Sequence, residues 1–243
     1  MPDIVTKQDG PILSVTLNRP EHGNAVSDEM VADLIGIIEG AEKTASVVVL
    51  RGAGADFCIG RAQMGSTPKS DPDAYERRTF SDVVFKCYGA LRNVKVPVIA
   101  AVQGRALGFG CAIAAACDIT LASDKATFAV PEMAHNILPT MVMSSFVDRV
   151  PRKAMSYLVY SQAEIGPERA LAFGIVSDVV EAAKLDQAVE TLCAAILKAP
   201  PPAIYGVKEY VKTAPDMAVF GAVEFARSLH ATVNSSGQMR RRH

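Results

Sequence analysis

The chain has 243 residues, 49% of them hydrophobic, and a net charge of −1. That length suits one large domain or a domain with a small appendage, with apolar residues enough for a core without metals or disulfides. The near-neutral balance excludes a global field for nucleic acid or membrane, so attraction to an anion must be local. The five cysteines (Cys58, Cys87, Cys111, Cys117 and Cys193) form no C-x-x-C pair, which argues against a disulfide framework and against a zinc site. Met1 to Lys7 has no apolar run after a basic start, so no signal peptide is expected. No stretch approaches the roughly 20 apolar residues of a membrane span, and a reducing cytoplasm is the expected compartment.

Ile12 to Leu17 alternates like a half-buried strand and ends at Asn18-Arg19-Pro20. Ser27 has the chemistry of a helix N-cap, with Asp28 and Glu29 in the first turn. Met30, Val31, Leu34, Ile35 and Ile38 give that helix one apolar face. Val47-Val48-Val49-Leu50 is a continuous apolar run, the mark of a strand buried on both faces. Ser66 to Arg78 is polar, with two prolines, and reads as a loop. Val96 to Val102 is a strand with Pro97 at its beginning or edge. Gly110 to Cys117 is small and apolar enough for a buried helix, and Ile119 to Ala122 is the next short strand. Pro167 to Gly174 is a short helix that starts with Pro and ends with Gly. Ile175 to Val180 reads as the last strand, and Lys184 to Lys198 as an amphipathic helix stopped by Pro200-Pro201-Pro202. Two more helices follow, over Ala203 to Thr213 and Met217 to Val233. The fold class is α/β with a helical tail, divided into a core over residues 1–199 and a C-terminal region over 200–243.

Three features carry chemistry. Gly104-x-x-x-Gly108-x-Gly110 follows a strand and opens a helix, so free N–H groups and the positive helix end converge on one place. Such a place stabilises a phosphate or a developing oxyanion, although a glycine turn that only permits close packing has the same pattern. A dinucleotide site needs G-x-G-x-x-G or a Walker lysine, and neither is present; Asp124, the candidate ribose contact, lies in the polar turn Ser123-Asp124-Lys125. Asp56-Phe57-Cys58-Ile59-Gly60-Arg61 follows the other buried strand, so two strand-end loops offer one backbone N–H each to a single carbonyl oxygen. Glu132 lies in Phe128-Ala129-Val130-Pro131-Glu132-Met133-Ala134, where apolar neighbours desolvate it and raise its pKa, although Pro-Glu is also ordinary helix-start chemistry. His22, His135 and His230 are scattered without an acidic partner at triad-like spacing. His135, three residues from Glu132, lies near it if the stretch is helical. Arg240-Arg241-Arg242 is a terminal charge run that reads as a solvated one.

At these residues the sequence resembles the crotonase (enoyl-CoA hydratase/isomerase) superfamily. Leu17-Asn18-Arg19-Pro20 with Asn24-Ala25 is similar to its opening motif, and Asp56 to Arg61 to its first oxyanion loop. Ala101-Val102-Gln103-Gly104 with Gly108 to Cys111 and Cys117-Asp118-Ile119 is similar to its second. Ala126-Thr127-Phe128 with Pro131-Glu132, and Ala170 with Gly174-Ile175-Val176, follow in the family's order. The resemblance implies a crotonase-like spiral of ββα units with a helical C-terminal region that mediates homotrimers, often paired into hexamers. It implies an acyl-CoA thioester substrate and no separate cofactor or metal, coenzyme A being part of the substrate. It gives the thioester oxygen to the backbone N–H groups of Arg61 and Phe109, and acid/base chemistry to Glu132. His22, Gly60, Ala62, Gln63, Gly108 and Ala112 stand at its substrate-binding positions.

The departures from the pattern shape the expected reaction. Hydratases of this family carry two glutamates; here the first position is Ala112 and the second Glu132. One carboxylate suffices to remove a proton alpha to a thioester carbonyl and return it two carbons away, so double-bond isomerisation, 3-enoyl to 2-enoyl, is expected over efficient hydration. Phe109 stands where glycine is usual, Glu21 and Met64 where lysines near the CoA phosphates are common, and the chain ends at His243, short of the usual last helix. Two other readings remain open. One is another crotonase chemistry, such as hydration, decarboxylation or thioester hydrolysis, with His230 of interest; the other is a catalytically idle acyl-CoA-binding member.

Overall fold

A computed structural model describes residues 2–62, 73–79 and 81–239. It opens with a hairpin in which β1 (Ile4–Asp9) pairs antiparallel with β2 (Ile12–Leu17). Leu13, Val15 and Leu17 of β2 are buried, every second residue, as the pleat requires. β1 is an edge strand exposed along most of its length, so no apolar alternation marks it in the sequence.

α1 (Asp28–Gly40) begins where expected: the Ser27 hydroxyl accepts from the Met30 N–H, and Met30, Val31, Leu34 and Ile38 face the core. β3 (Val47–Gly52) buries four consecutive residues because it is covered on both faces. Val48 and Leu50 enter the main core, whereas Val47 and Val49 pack with Leu185, Val189 and Cys193. α2 (Ala74–Thr79) and α3 (Asp82–Asn93) follow. Residues 74–78 of the expected loop are therefore helical, while 66–72 lie outside the described residues.

β4 (Val98–Val102), β5 (Arg105–Leu107), α4 (Phe109–Ala116), β6 (Ile119–Ser123) and β7 (Thr127–Ala129) make up the centre. Pro97 sits just outside β4, where its missing N–H interrupts no ladder. α5 (Thr140–Phe146), α6 (Arg152–Ser161) and α7 (Pro167–Ala172) lead to β8 (Asp178–Val180). This strand is shorter than the apolar run predicts, because the Ile175 and Val176 N–H groups turn back onto the Ala170 carbonyl and close α7. α8 (Leu185–Ile196), α9 (Pro201–Thr213) and α10 (Val219–Ser235) complete the described chain.

The main sheet has the order β1-β2-β3-β4-β6-β8 and is parallel from β2 onward. β5 and β7 form a separate two-stranded parallel sheet that carries the chain from β4 and β6 to the site. Among the described residues no helix is long and apolar enough to cross a membrane. The five cysteines are free and buried, and burial pushes the Cys58 and Cys87 thiols up to about 12.

One buried ion pair ties the helical tail to this frame. Lys208 of α9 donates to the carbonyls of Leu91 and Val96 (3.0 Å each) and to Asp118 Oδ2 (2.7 Å). The same Asp118 oxygen accepts from the Val98 N–H at 2.7 Å. The end of α3 and the starts of β4 and β6 thus share one ammonium. Lys208→Met keeps the stem but leaves Asp118 without its cation, and breaking a buried pair in this way costs about 3–5 kcal/mol. Urea unfolding should show a lower midpoint of that order; an unchanged midpoint would mean that the pair does not hold the tail.

Candidate active site

The loop after β3 is shaped by two carboxamides. Fully buried Asn24 donates to the carbonyls of Ala53 (2.8 Å) and Asp56 (2.7 Å) and accepts from the Arg19 N–H (2.8 Å). Gln103 donates to the carbonyls of Gly52 (2.8 Å) and Asp56 (2.9 Å). Asp56 in turn receives both Nε and Nη2 of Arg105, at 2.9 and 2.8 Å, and this fork holds its carboxyl below the usual carboxylate range. The loop is therefore stitched to the start of β5 before it reaches the site.

Beyond Asp56 the loop runs beside β5 as an extra strand. The Cys58 N–H donates to the Arg105 carbonyl (3.1 Å), and the Leu107 N–H donates to the Cys58 carbonyl (2.9 Å). The next stretch pairs with Val26: its N–H donates to the Gly60 carbonyl (3.0 Å), and the Ala62 N–H donates to its carbonyl (2.9 Å). In a parallel bridge the residue between these two bonds turns its own N–H to the opposite side. That residue is Arg61.

The second loop ends at the start of α4. The Gly108 N–H is spent on the Ala129 carbonyl (2.9 Å), and the Ala112 N–H closes the first helical turn on the Gly108 carbonyl (3.0 Å). The N–H groups between them, Phe109 first, belong to the positive helix end, where no carbonyl lies four residues back. Gly108 has φ +52°, a left-handed conformation that side chains disfavour, and a Cβ there would stand 2.6 Å from Glu132 Oε1. The carboxylate therefore lies directly against the turn that presents the Phe109 N–H.

Glu132 heads a short 3-10 turn over Glu132–His135, so His135 is indeed its near neighbour. Glu132 Oε2 is buried and has no hydrogen-bond partner. Burial holds this carboxyl above the ordinary value of 4.5; its own backbone N–H and the charge on His135 oppose the shift without cancelling it. A desolvated carboxylate that keeps one oxygen unpartnered beside the N–H groups of a helix start has the chemistry to exchange protons with a ligand whose charge those groups stabilise.

Arg61, Gly108, Phe109 and Glu132 are thus brought together, with Gly60 and Ala62 forming the backbone ladder on either side of Arg61. Ala112 is fully buried in α4, and the position supplies no carboxylate. His22 is exposed in the turn Pro20–His22, and its backbone N–H donates to the Arg19 carbonyl. His230 is exposed on α10, which buries none of its residues. Asp124 accepts from the Ala182 N–H and caps the turn before α8. Gln63, Met64 and Arg240 to Arg242 lie outside the described residues. Sequence reasoning did not single out Tyr88 of α3. Its ring stacks on Phe109 with centroids 6.0 Å apart, and its buried hydroxyl has no partner. The signal was available in the helical spacing of Val84, Cys87, Tyr88 and Leu91, which places Tyr88 on the inner face.

An α/β spiral that lays two strand-end amide loops beside a buried carboxylate is the crotonase architecture. Consistent with this, the family profile described as enoyl-CoA hydratase/isomerase matches residues 7–241. Short-chain-enoyl-CoA hydratase of Clostridium acetobutylicum is 29% identical over 226 residues, covering 92% of this chain and 86% of that protein. Carnitinyl-CoA dehydratase of Escherichia coli K12 is 31% identical over 230 residues, covering 91% and 84%. In fold, the crystal structure of an enoyl-CoA hydratase from Mycobacterium smegmatis is similar with a TM-score of 0.90 at 24% identity, covering 98% of this chain and 93% of that one. The chain belongs to the enoyl-CoA hydratase/isomerase family and is an enzyme.

Because burial raises the Glu132 pKa, the folded state holds its proton more tightly than the unfolded state, and stability is lost as pH rises through that range. Glu132→Gln should therefore melt at a higher temperature than the wild type at neutral pH, with the gap shrinking as pH falls and vanishing only below 4.5, where the wild-type group becomes protonated in both states. Thermal melts between neutral and mildly acidic pH read this directly. A gap that grows on acidification would contradict the sign.

Proposed function

We propose that this enzyme isomerises the double bond of an unsaturated acyl-CoA, 3-enoyl to 2-enoyl, with Glu132 as the single acid/base. The thioester oxygen sits between the N–H groups of Arg61 and Phe109, which stabilise the enolate oxygen formed when Glu132 removes a proton from the carbon alpha to the carbonyl. The same carboxyl then returns that proton two carbons further along, so no atom is gained or lost. One oxyanion donor of this kind is worth about 3 kcal/mol of transition-state stabilisation. The observation that carries the reading is the Glu132 carboxylate against Gly108, its Oε2 without a partner, with Ala112 at the position where a second carboxylate would stand.

Hydration is the second reading, and the names of the two relatives favour it, since one is a hydratase and the other a dehydratase. A water must then be oriented by groups other than a second glutamate at Ala112. Incubation with 2-enoyl- and 3-enoyl-CoAs, with products followed by mass spectrometry and NMR, separates the two. Isomerisation predicts a moved double bond at constant mass; a product heavier by one water as the main outcome would sink it. Glu132→Ala should lower turnover about 10²–10⁴-fold while thioester binding persists. Gly108→Ala should lower turnover about 10²-fold or more, because its Cβ displaces the carboxylate and strains the turn that aims the Phe109 N–H. Ionised Glu132 is the base, so the acid limb of kcat/KM should lie above 4.5, the ordinary glutamate value.

Self-association belongs to the same proposal. α10 buries none of its residues yet carries Val219, Phe220 and Val223, all exposed, and exposed Val207 and Val211 lie on α9. Apolar surface of this kind is covered when three copies meet through their helical tails. Sedimentation should give the mass of a trimer or hexamer; a monomer at micromolar concentration would remove this part of the reading.

A further inference from the structure

Four buried side-chain nitrogen or oxygen atoms among the described residues have no hydrogen-bond partner, and three of them belong to Arg61, Tyr88 and Glu132. The fourth, Arg149 Nε, stands 3.5 Å from a carboxylate oxygen of Asp148 and is thereby accounted for. Native proteins rarely leave buried polar atoms unpaired, because each costs about 1–3 kcal/mol. Glu132 Oε2 is explained by the proposed reaction. The Tyr88 hydroxyl and Arg61 Nε are not.

Tyr88 is 2% exposed, so bulk water does not serve its hydroxyl. Its ring lies at 26° to that of Phe109, the residue whose N–H opens α4. The charges of Glu132 and Arg61 both act on the phenol, which burial holds far in its protonated, donor form. Arg61 engages Asp28 through Nη2, which leaves Nε, a donor that cannot accept, free toward the interior. A pocket meant for plain alkyl chain would be better lined by phenylalanine at position 88, which stacks equally well and strands no hydroxyl. Glu132 Oε2 is buried as they are, and the proposed reaction requires that oxygen to meet substrate.

We propose that Tyr88 is a specificity residue whose hydroxyl, supported by Arg61 Nε, donates to an acceptor oxygen on the acyl group. The preferred substrate is then an acyl-CoA that carries an oxo or carboxylate oxygen on its chain in addition to the thioester. This inference rests on the acyl-CoA reading of the site and narrows its substrate class. A site built to hydrogen-bond a substrate oxygen rejects the analogue that lacks it, since the site's own donor is then left unpaired.

The test uses saturated thioesters, which bind without reacting: hexanoyl-CoA and same-length partners with an oxo group at successive carbons or a carboxylate at the chain end. Affinities are measured by calorimetry for the wild type and for Tyr88→Phe, which keeps the ring. At least one oxygenated thioester should bind the wild type about ten-fold or more tighter than hexanoyl-CoA, and Tyr88→Phe should abolish that advantage while leaving hexanoyl-CoA unchanged. Equal affinity across the panel, or an advantage that survives in Tyr88→Phe, overturns the inference but leaves the acyl-CoA reading in place. Failure of every thioester to bind the wild type defeats that reading, and this inference with it. The unliganded proteins give a second check. Losing a hydroxyl that has no partner should leave the thermal midpoint of Tyr88→Phe equal to or above that of the wild type; a lower midpoint would show a structural role and overturn the assignment.

Discussion

The geometry of the site depends on how closely α4 can approach the loop that follows β3. A Cβ at Gly110 would stand 1.9 Å from the Cys58 carbonyl oxygen, well inside any tolerable contact. With hydrogen there instead, the first turn of α4 settles onto the loop backbone, and the N–H groups of Arg61 and Phe109 belong to adjoining chains rather than to separate walls. Everything upstream serves this contact. Asn24 and Gln103 hold the loop from behind, Arg105 clamps Asp56, and the ladder from Cys58 to Leu107 sets the register of the two chains. A slip of one residue in the pairing of the loop with Val26 would turn the Arg61 N–H toward Val26 and away from its present side.

The same packing makes Glu132 expensive to ionise. Its carboxyl is pressed against Gly108 and desolvated, and among the described residues no arginine or lysine lowers its pKa. The stability lost there is supported by the rest of the frame, which buries β3 and β4 between two apolar clusters and anchors the tail through Lys208. Two largely shielded carboxylates, Asp118 and Glu132, are treated in opposite ways. Asp118 is given an ammonium and a backbone N–H, whereas Glu132 Oε2 has no hydrogen-bond partner and burial holds that carboxyl above its ordinary value.

The parts of this arrangement that were legible in the sequence are those set by periodicity or by a short glycine motif. The alternation in Ile12 to Leu17, the buried run at Val47 to Leu50, the Ser27 cap and the glycines from 104 to 110 each have a local cause and appear where that cause puts them. Elements whose cause is tertiary were hidden. β1 is an edge strand with polar outer residues, β5 and β7 are three residues each and exist through pairing with each other, and β8 is cut short by the closure of α7. The site followed the same division. Glu132, Arg61 and Phe109 could be placed by motif, but the roles of Asn24, Gln103 and Asp56 as loop fasteners are contacts across 30 to 50 residues that no local pattern encodes. Tyr88 sits on a helix whose inner face was readable, yet its orphan hydroxyl is a property of the assembled pocket.

The alanine at position 112 follows from the same physics as the raised glutamate. All eight residues of α4 are buried, and apart from Phe109 they are mostly small, so the helix is an apolar insert between the small sheet and α5. A second carboxylate on it would bring a like charge toward Glu132 in a region of low dielectric, and one of the two would be held protonated at neutral pH. Such a pair suits the delivery of a water, with one group as acid and the other as base. With alanine there, α4 offers Glu132 no carboxyl to share a proton with, and desolvation is the largest influence on its basicity, opposed by its own backbone N–H and by His135. The desolvation of this carboxyl and the small residue at position 112 thus share one cause, the tight apolar packing around the start of α4.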